Sequence, residues 1–147
     1  MRRIKALLTT NATGIAAMAV MAAVPAVTAS AASIPQCTSS KVIQNMILPV
    51  NSGSDNCELG TFSGSTHKTA VMVLQGAMNV CFGRSVLGSV YPLSVDGIFG
   101  PNTETALRRV QSHIGVASDG EYGPITRTHM SWENGNTGTP CIFDGGV

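Results

Sequence analysis

The sequence predicts an all-α fold, a compact bundle of three short helices with an extended N-terminal segment and disulfides. Three observations predict it. An eight-residue unit, Asp96-Gly97-Ile98-Phe99-Gly100-Pro101-Asn102-Thr103, returns twenty-three residues later as Asp119-Gly120-Glu121-Tyr122-Gly123-Pro124-Ile125-Thr126. Apolar residues at helical spacing flank these units. Four cysteines lie in the stretch that would remain after export.

The chain has 147 residues and opens on a basic start, Arg2, Arg3 and Lys5. No charged residue follows until Lys41. Ile15 to Val24 is an apolar run, Pro25 breaks it, and Ala29-Ser30-Ala31 offers the small residues of a cleavage site. Residues 1–31 are therefore expected to be a secretory signal peptide. A membrane span is the competing reading. It wants about 20 apolar residues, and Thr9, Thr10, Asn11 and Thr13 interrupt this run. No stable membrane anchor is expected.

Residues 32–58 are expected to form an extended N-terminal segment. Val42-Ile43 and Met46 to Val50 are short apolar runs that suit a small hairpin or an extended piece laid over the core, and Pro49 limits any strand to an edge. Residues 59–147 are expected to hold the domain and a C-terminal tail. Its first helix is predicted from about Lys68 to Val80, with Val71, Leu74 and Met78 on one face. Gly76 weakens that helix by about 1 kcal/mol against Ala, which suggests close approach of a neighbouring backbone. Cys81 to Val90 reads as a Gly- and Ser-bearing loop, and Tyr91 to Val95 as an extended lead-in.

Each repeat unit then combines a turn with a helix start. An Asp side chain accepts N–H groups from the residues after it, and the next Gly takes the positive φ that other residues avoid. Asp96, Gly97, Gly100, Asp119, Gly120 and Gly123 are accordingly read as structural turn residues. The aromatics Phe99 and Tyr122 drop into the core. Gly then stands at the helix cap and Pro at the first helical position, where its missing N–H costs nothing. The second helix carries Ala106, Leu107, Val110 and Ile114 on one face. The third is short, with Ile125, Thr128 and Trp132 at helical offsets, and is expected to end near Asn134-Gly135-Asn136.

Composition excludes several functions. Without Arg2, Arg3 and Lys5 the formal charge falls from +1 to −2, so a basic footprint for nucleic acid is missing. An even cysteine count in a small exported chain reads as two disulfides. Three pairings of Cys37, Cys57, Cys81 and Cys141 are open. Cys37–Cys57, closing an N-terminal loop, with Cys81–Cys141, tying the first helix to the tail, is the favoured one.

The motifs resemble the peptidoglycan-binding domain 1 family. Val71-Met72-Val73-Leu74-Gln75-Gly76-Ala77-Met78-Asn79 is similar to that family's first-helix opening. The paired Asp-Gly turns, Ala106-Leu107 with Gln111, and Gly115-Val116 match its later signature. The resemblance covers about Leu59 to Trp132. It departs at Met78, where Leu is usual, at Val110, where an aromatic is usual, and at Glu121. It implies a compact three-helix attachment module and peptidoglycan, by glycan strand or stem peptide, as the partner. The expected location is extracellular and cell-wall associated, and the expected state a monomer.

Candidate ligand-binding residues are few. Arg108, Arg109 and Arg127 suit the carboxylates of stem-peptide or muramic acid groups, since Arg meets carboxylates bidentately. The competing reading is a solvated helix face. Asn102 stands at a helix start, where backbone N–H groups attract anions, and Tyr91 is placed to stack on a sugar or simply to pack. No catalytic residue is assigned. The Asp-Gly turns lack the alternating acids of a calcium loop. His67, His113 and His129 lack metal-ligand spacing, and there is no nucleophile elbow. No metal or cofactor is expected. The function expected is a non-catalytic peptidoglycan-binding module. The alternatives are a small cell-wall hydrolase or peptidase, or a protein-binding effector or inhibitor on the same scaffold.

Overall fold

The first strand pair sits where the apolar runs begin. In the computed structural model, which describes residues 33–63, 66–136 and 140–143, β1 (Ser39–Ile43) pairs antiparallel with β2 (Met46–Val50). Gln44 and Asn45 make the turn, both at positive φ (50° and 67°). That is the backbone whose twist matches a two-residue hairpin. β2 is the inner strand: Met46, Leu48 and Val50 are buried, while Val42 of β1 faces solvent. A Cys37–Cys57 disulfide closes the base of this hairpin. The signal segment expected over residues 1–31 lies outside the described residues.

α1 (Lys68–Cys81) buries Ala70, Val71, Leu74, Ala77 and Met78, and it packs against both strand pairs and two further helices. The helix stops at Phe82, whose N–H reaches back to the Met78 carbonyl at 3.2 Å. Gly83 at φ 55° then redirects the chain, a backbone few other residues tolerate. α2 (Gly83–Leu87) and a 3-10 turn (Gly88–Val90) follow. α3 (Pro101–Ile114) ends at Gly115 in the left-handed conformation, the usual helix stop. α4 (Pro124–His129) is the last helix. β3 (Ser131–Glu133) and β4 (Cys141–Phe143) form the second antiparallel pair. A Cys81–Cys141 disulfide holds β4 to the end of α1.

The expected all-α three-helix bundle is therefore not what forms. Among the described residues the fold is mixed α/β, with four α-helices and two small antiparallel sheets. Two physical causes account for the difference. The stretch read as a loop after Cys81 holds Leu87, fully buried, and the half-buried Val86, and one turn of helix is the shortest way to bury both. The third helix was expected to run to Trp132 on the spacing of Ile125, Thr128 and Trp132. Ile125 is instead 69% exposed. The buried pair is Met130 and Trp132, two residues apart, which is the strand period. The chain accordingly leaves the helix at Met130 (ψ 155°).

The core joins β2, α1, α3 and the two repeat aromatics. Phe99 and Tyr122 are 3% and 0% exposed. Tyr122 meets Trp132 edge to face at 5.7 Å. The backbone of Tyr122 also pairs with Leu59 in both directions, at 2.8 and 2.9 Å. The two flanks meet as well. The Gly135 N–H reaches the Asn45 carbonyl at 2.6 Å, and the Asn136 amide reaches Asn45 Oδ1 at 2.6 Å.

Candidate functional site

Each Asp-Gly turn is held by a buried glutamine from a helix earlier in the chain. Gln75 of α1 is 1% exposed. Its Nε2 lies 3.0 Å from Asp96 Oδ1, 3.1 Å from the Ile98 carbonyl and 3.1 Å from Thr103 Oγ1. Its Oε1 accepts the Gly97 N–H at 2.9 Å. Gln111 of α3 repeats the arrangement on the second turn. Its Nε2 reaches Asp119 Oδ1 at 2.7 Å, the Glu121 carbonyl at 2.8 Å and Thr126 Oγ1 at 3.1 Å. Its Oε1 accepts the Gly120 N–H at 2.8 Å. The amide orientation follows from chemistry. The nitrogen faces oxygens and the oxygen faces an N–H, so a flipped amide would oppose like groups in both turns.

The aspartates complete the turns. Asp96 Oδ1 accepts the Ile98 N–H and Asp119 Oδ1 the Glu121 N–H, both at 2.9 Å. The bond from Ile98, then that from Gln75, holds the Asp96 carboxyl below its ordinary value of 3.8. Gly97 and Gly120 stand at φ 77° and 74°. At Gly97 a Cβ would also meet the Lys68 backbone oxygen at 2.8 Å, so the turn lies directly against the start of α1.

The first turn borders a cavity of about 360 Å³ at the head of α3. Ser94, Asp96 and Asn102 are among its polar lining residues, and Pro92, Ile98 and Pro101 among its apolar ones. A smaller cavity of about 190 Å³ adjoins the second turn, beside Glu58, Asp119 and Glu121. The first carries one carboxylate and no cation, so it favours neutral hydroxyl and amide groups over anions.

Of the ligand-binding candidates singled out in the sequence, Asn102 alone lines this cavity. Tyr91 is half-buried, with the Arg84 guanidinium 5.7 Å from its ring. Arg108 spans Glu104 Oε1, at 2.8 and 3.1 Å, and the Ser118 carbonyl at 2.6 Å. Arg109 donates to the Leu87 carbonyl and, at 3.2 Å, to Ser89 Oγ. Arg127 pairs with Asp55 at 2.9 Å. The three arginines thus each bind a different part of the chain and do not gather round a ligand site. His113 sits edge-on to Phe82 at 6.1 Å, and His129 Nδ1 lies 2.8 Å from the Ile125 carbonyl. Among the described residues no group of three His, Cys, Asp or Glu side chains comes within reach of one metal ion.

Residues 82–130 match the family described as "Putative peptidoglycan binding domain". The resemblance read from the doubled motif is thereby shown for this segment. The match takes in both turns, α2, α3 and α4, and leaves α1 with its Leu74-Gln75 outside. The chain is also similar to a zinc D-Ala-D-Ala carboxypeptidase of Streptomyces albus G, 39% identical over 56 residues. That alignment covers 38% of this chain and 22% of the carboxypeptidase. No solved structure matches.

Sequence reasoning missed the two glutamines as the groups that hold the turns. A signal existed. Both helices that precede a turn carry an apolar residue followed by Gln, Leu74-Gln75 and Val110-Gln111, and both turns end on Thr. What hid the symmetry is spacing. Gln111 stands 8 residues before its aspartate and Gln75 stands 21 before its own, because α2 is inserted between the first pair.

Proposed function

We propose that this chain is a secreted, non-catalytic, monomeric module that binds cell-wall peptidoglycan at the head of α3. The observation that carries the reading is the family match over residues 82–130, which spans every residue bordering the larger turn cavity except Gln75. The matched family and the two disulfides fit an extracellular or cell-wall location.

The cavity favours the glycan strand over the stem-peptide carboxylates. Asp96 repels an anion, and the arginine donors are engaged elsewhere in the chain. Asp96 and Asn102 suit pairs of sugar hydroxyls or an acetamido group, and Pro92, Ile98 and Pro101 offer the apolar surface that a pyranose face covers. Co-sedimentation with purified cell walls tests the reading. The protein is expected to pellet with walls, to leave their turbidity unchanged, and to pellet less as the Asn102→Ala variant.

The relative's name gives the competing enzyme reading its footing. Wall lysis that disappears on substituting His113 or His129 would favour it. Failure to sediment, together with stable capture of one secreted protein, would favour an effector or inhibitor.

A further inference from the structure

A third cavity, of about 350 Å³, runs along α1 apart from the turns. Ile47 of β2, Met72 and Val73 of α1, and Val95 line it with apolar surface, and Glu133 of β3 places a carboxylate in it. Val95 belongs here while its neighbours Ser94 and Asp96 line the turn cavity, so one extended stretch separates the two.

The Glu133 carboxylate has no hydrogen-bond or ion-pair partner among the described residues. Burial alone pushes its carboxyl above the ordinary value of 4.5. Gly76 explains how the carboxylate fits. It stands mid-helix in α1, and a Cβ there would come within 2.6 Å of Glu133 Oε1. A glycine that weakens the helix thus makes room for an acid against an apolar wall. No other lining residue carries a charge. A lone anion on an aliphatic floor is complementary to a compact cation on an aliphatic stem.

We propose that this cavity binds the side chain of a diamino acid in a peptide ligand, the ammonium on Glu133 and the methylene stem along Ile47, Met72, Val73 and Val95. The size is in the range that accepts a small ligand, and the site is independent of the wall-binding reading.

The test is an NMR titration of the protein with three capped amino acids, each acetylated at its N-terminus and amidated at its C-terminus. These are lysine, norleucine and glutamate, followed at the amide signals of Gly76 and Val95. Capped lysine is expected to bind roughly tenfold tighter than capped norleucine, the scale of one hydrogen bond to a charged group. Capped glutamate is expected to leave both signals in place. Glu133→Gln is expected to bring lysine down to the norleucine level without changing norleucine. The comparison of ligands on the unmodified protein stands even if the variant fails to fold. Equal binding of lysine and norleucine, full lysine affinity in Glu133→Gln, or no shift at Gly76 and Val95 would overturn the proposal.

Discussion

Replacing Gln75 with leucine keeps the volume at a fully packed position and deletes the amide. Its consequences are countable. The Gly97 N–H is buried and, among the described residues, donates only to Gln75 Oε1. Leaving such a donor unmade costs about 1–3 kcal/mol. On the nitrogen side the loss is smaller. Asp96 is exposed and turns to water, and Thr103 Oγ1 keeps its own 3.2 Å bond to the Ile98 carbonyl. About 1 kcal/mol for the lost donors is a fair allowance. The expected destabilisation is therefore about 2–4 kcal/mol, a large share of the roughly 5–15 kcal/mol that holds a small domain. Urea unfolding with the disulfides intact measures it as a lower midpoint at constant slope. Gln75→Glu sharpens the test. It keeps an acceptor for Gly97 but sets a second carboxylate 3.0 Å from Asp96 Oδ1 in place of a donor, so the loss at neutral pH is expected to shrink as the pH falls. A loss below about 0.5 kcal/mol for Gln75→Leu, within the range of an ordinary surface substitution, would refute the reasoning. So would a Gln75→Glu variant as stable as the parent.

Gly97→Ala is expected to cost more than Gly120→Ala in the same unfolding assay. Both sit at positive φ, worth roughly 1–2 kcal/mol, but the added Cβ meets Lys68 backbone at Gly97 and only the Glu104 and Arg108 side chains at Gly120. The two shifted carboxyls are expected to bend the acid limb of stability in opposite directions. Asp96, held below 3.8, stabilises above that pH and loses its contribution as the pH drops through its folded value, so Asp96→Asn flattens the acid loss. Glu133, held above 4.5, penalises the fold as pH rises through that range, so Glu133→Gln raises stability near neutrality. Paired Cys→Ser exchange is expected to cost roughly 4 kcal/mol at Cys81 and Cys141 and roughly 3 kcal/mol at Cys37 and Cys57 in thermal unfolding, following loop separations of 60 and 20 residues.

Local chemistry was legible in the sequence wherever it was confined to neighbours. The Asp-Gly turns and the proline helix starts need only residues within one unit, and both copies lie where their motif stands. What escaped was decided at distance. Gln75 gains its meaning only when Asp96, 21 residues on, folds back onto it. The arginines looked available because sequence does not show the carbonyls of Leu87 and Ser118 or the carboxylate of Asp55 beside them. Gly76 signalled a close neighbour, but the neighbour is the Glu133 carboxylate rather than a backbone. Trp132 shows the limit of periodicity. Residues 125–132 carry apolar groups at both helical and strand spacing, and the strand pairing with Ile142 wins because it buries Met130 and Trp132 together.

The Cys81–Cys141 crosslink has a mechanical consequence. It closes a ring of chain that contains all of residues 82–130. Tension applied between the leading and trailing ends would travel through sulfur from Cys81 straight to Cys141 and bypass that ring. The Cys37–Cys57 crosslink bypasses the hairpin in the same way, so a tug would load the chain between Cys57 and Cys81 before it stretched either Asp-Gly corner.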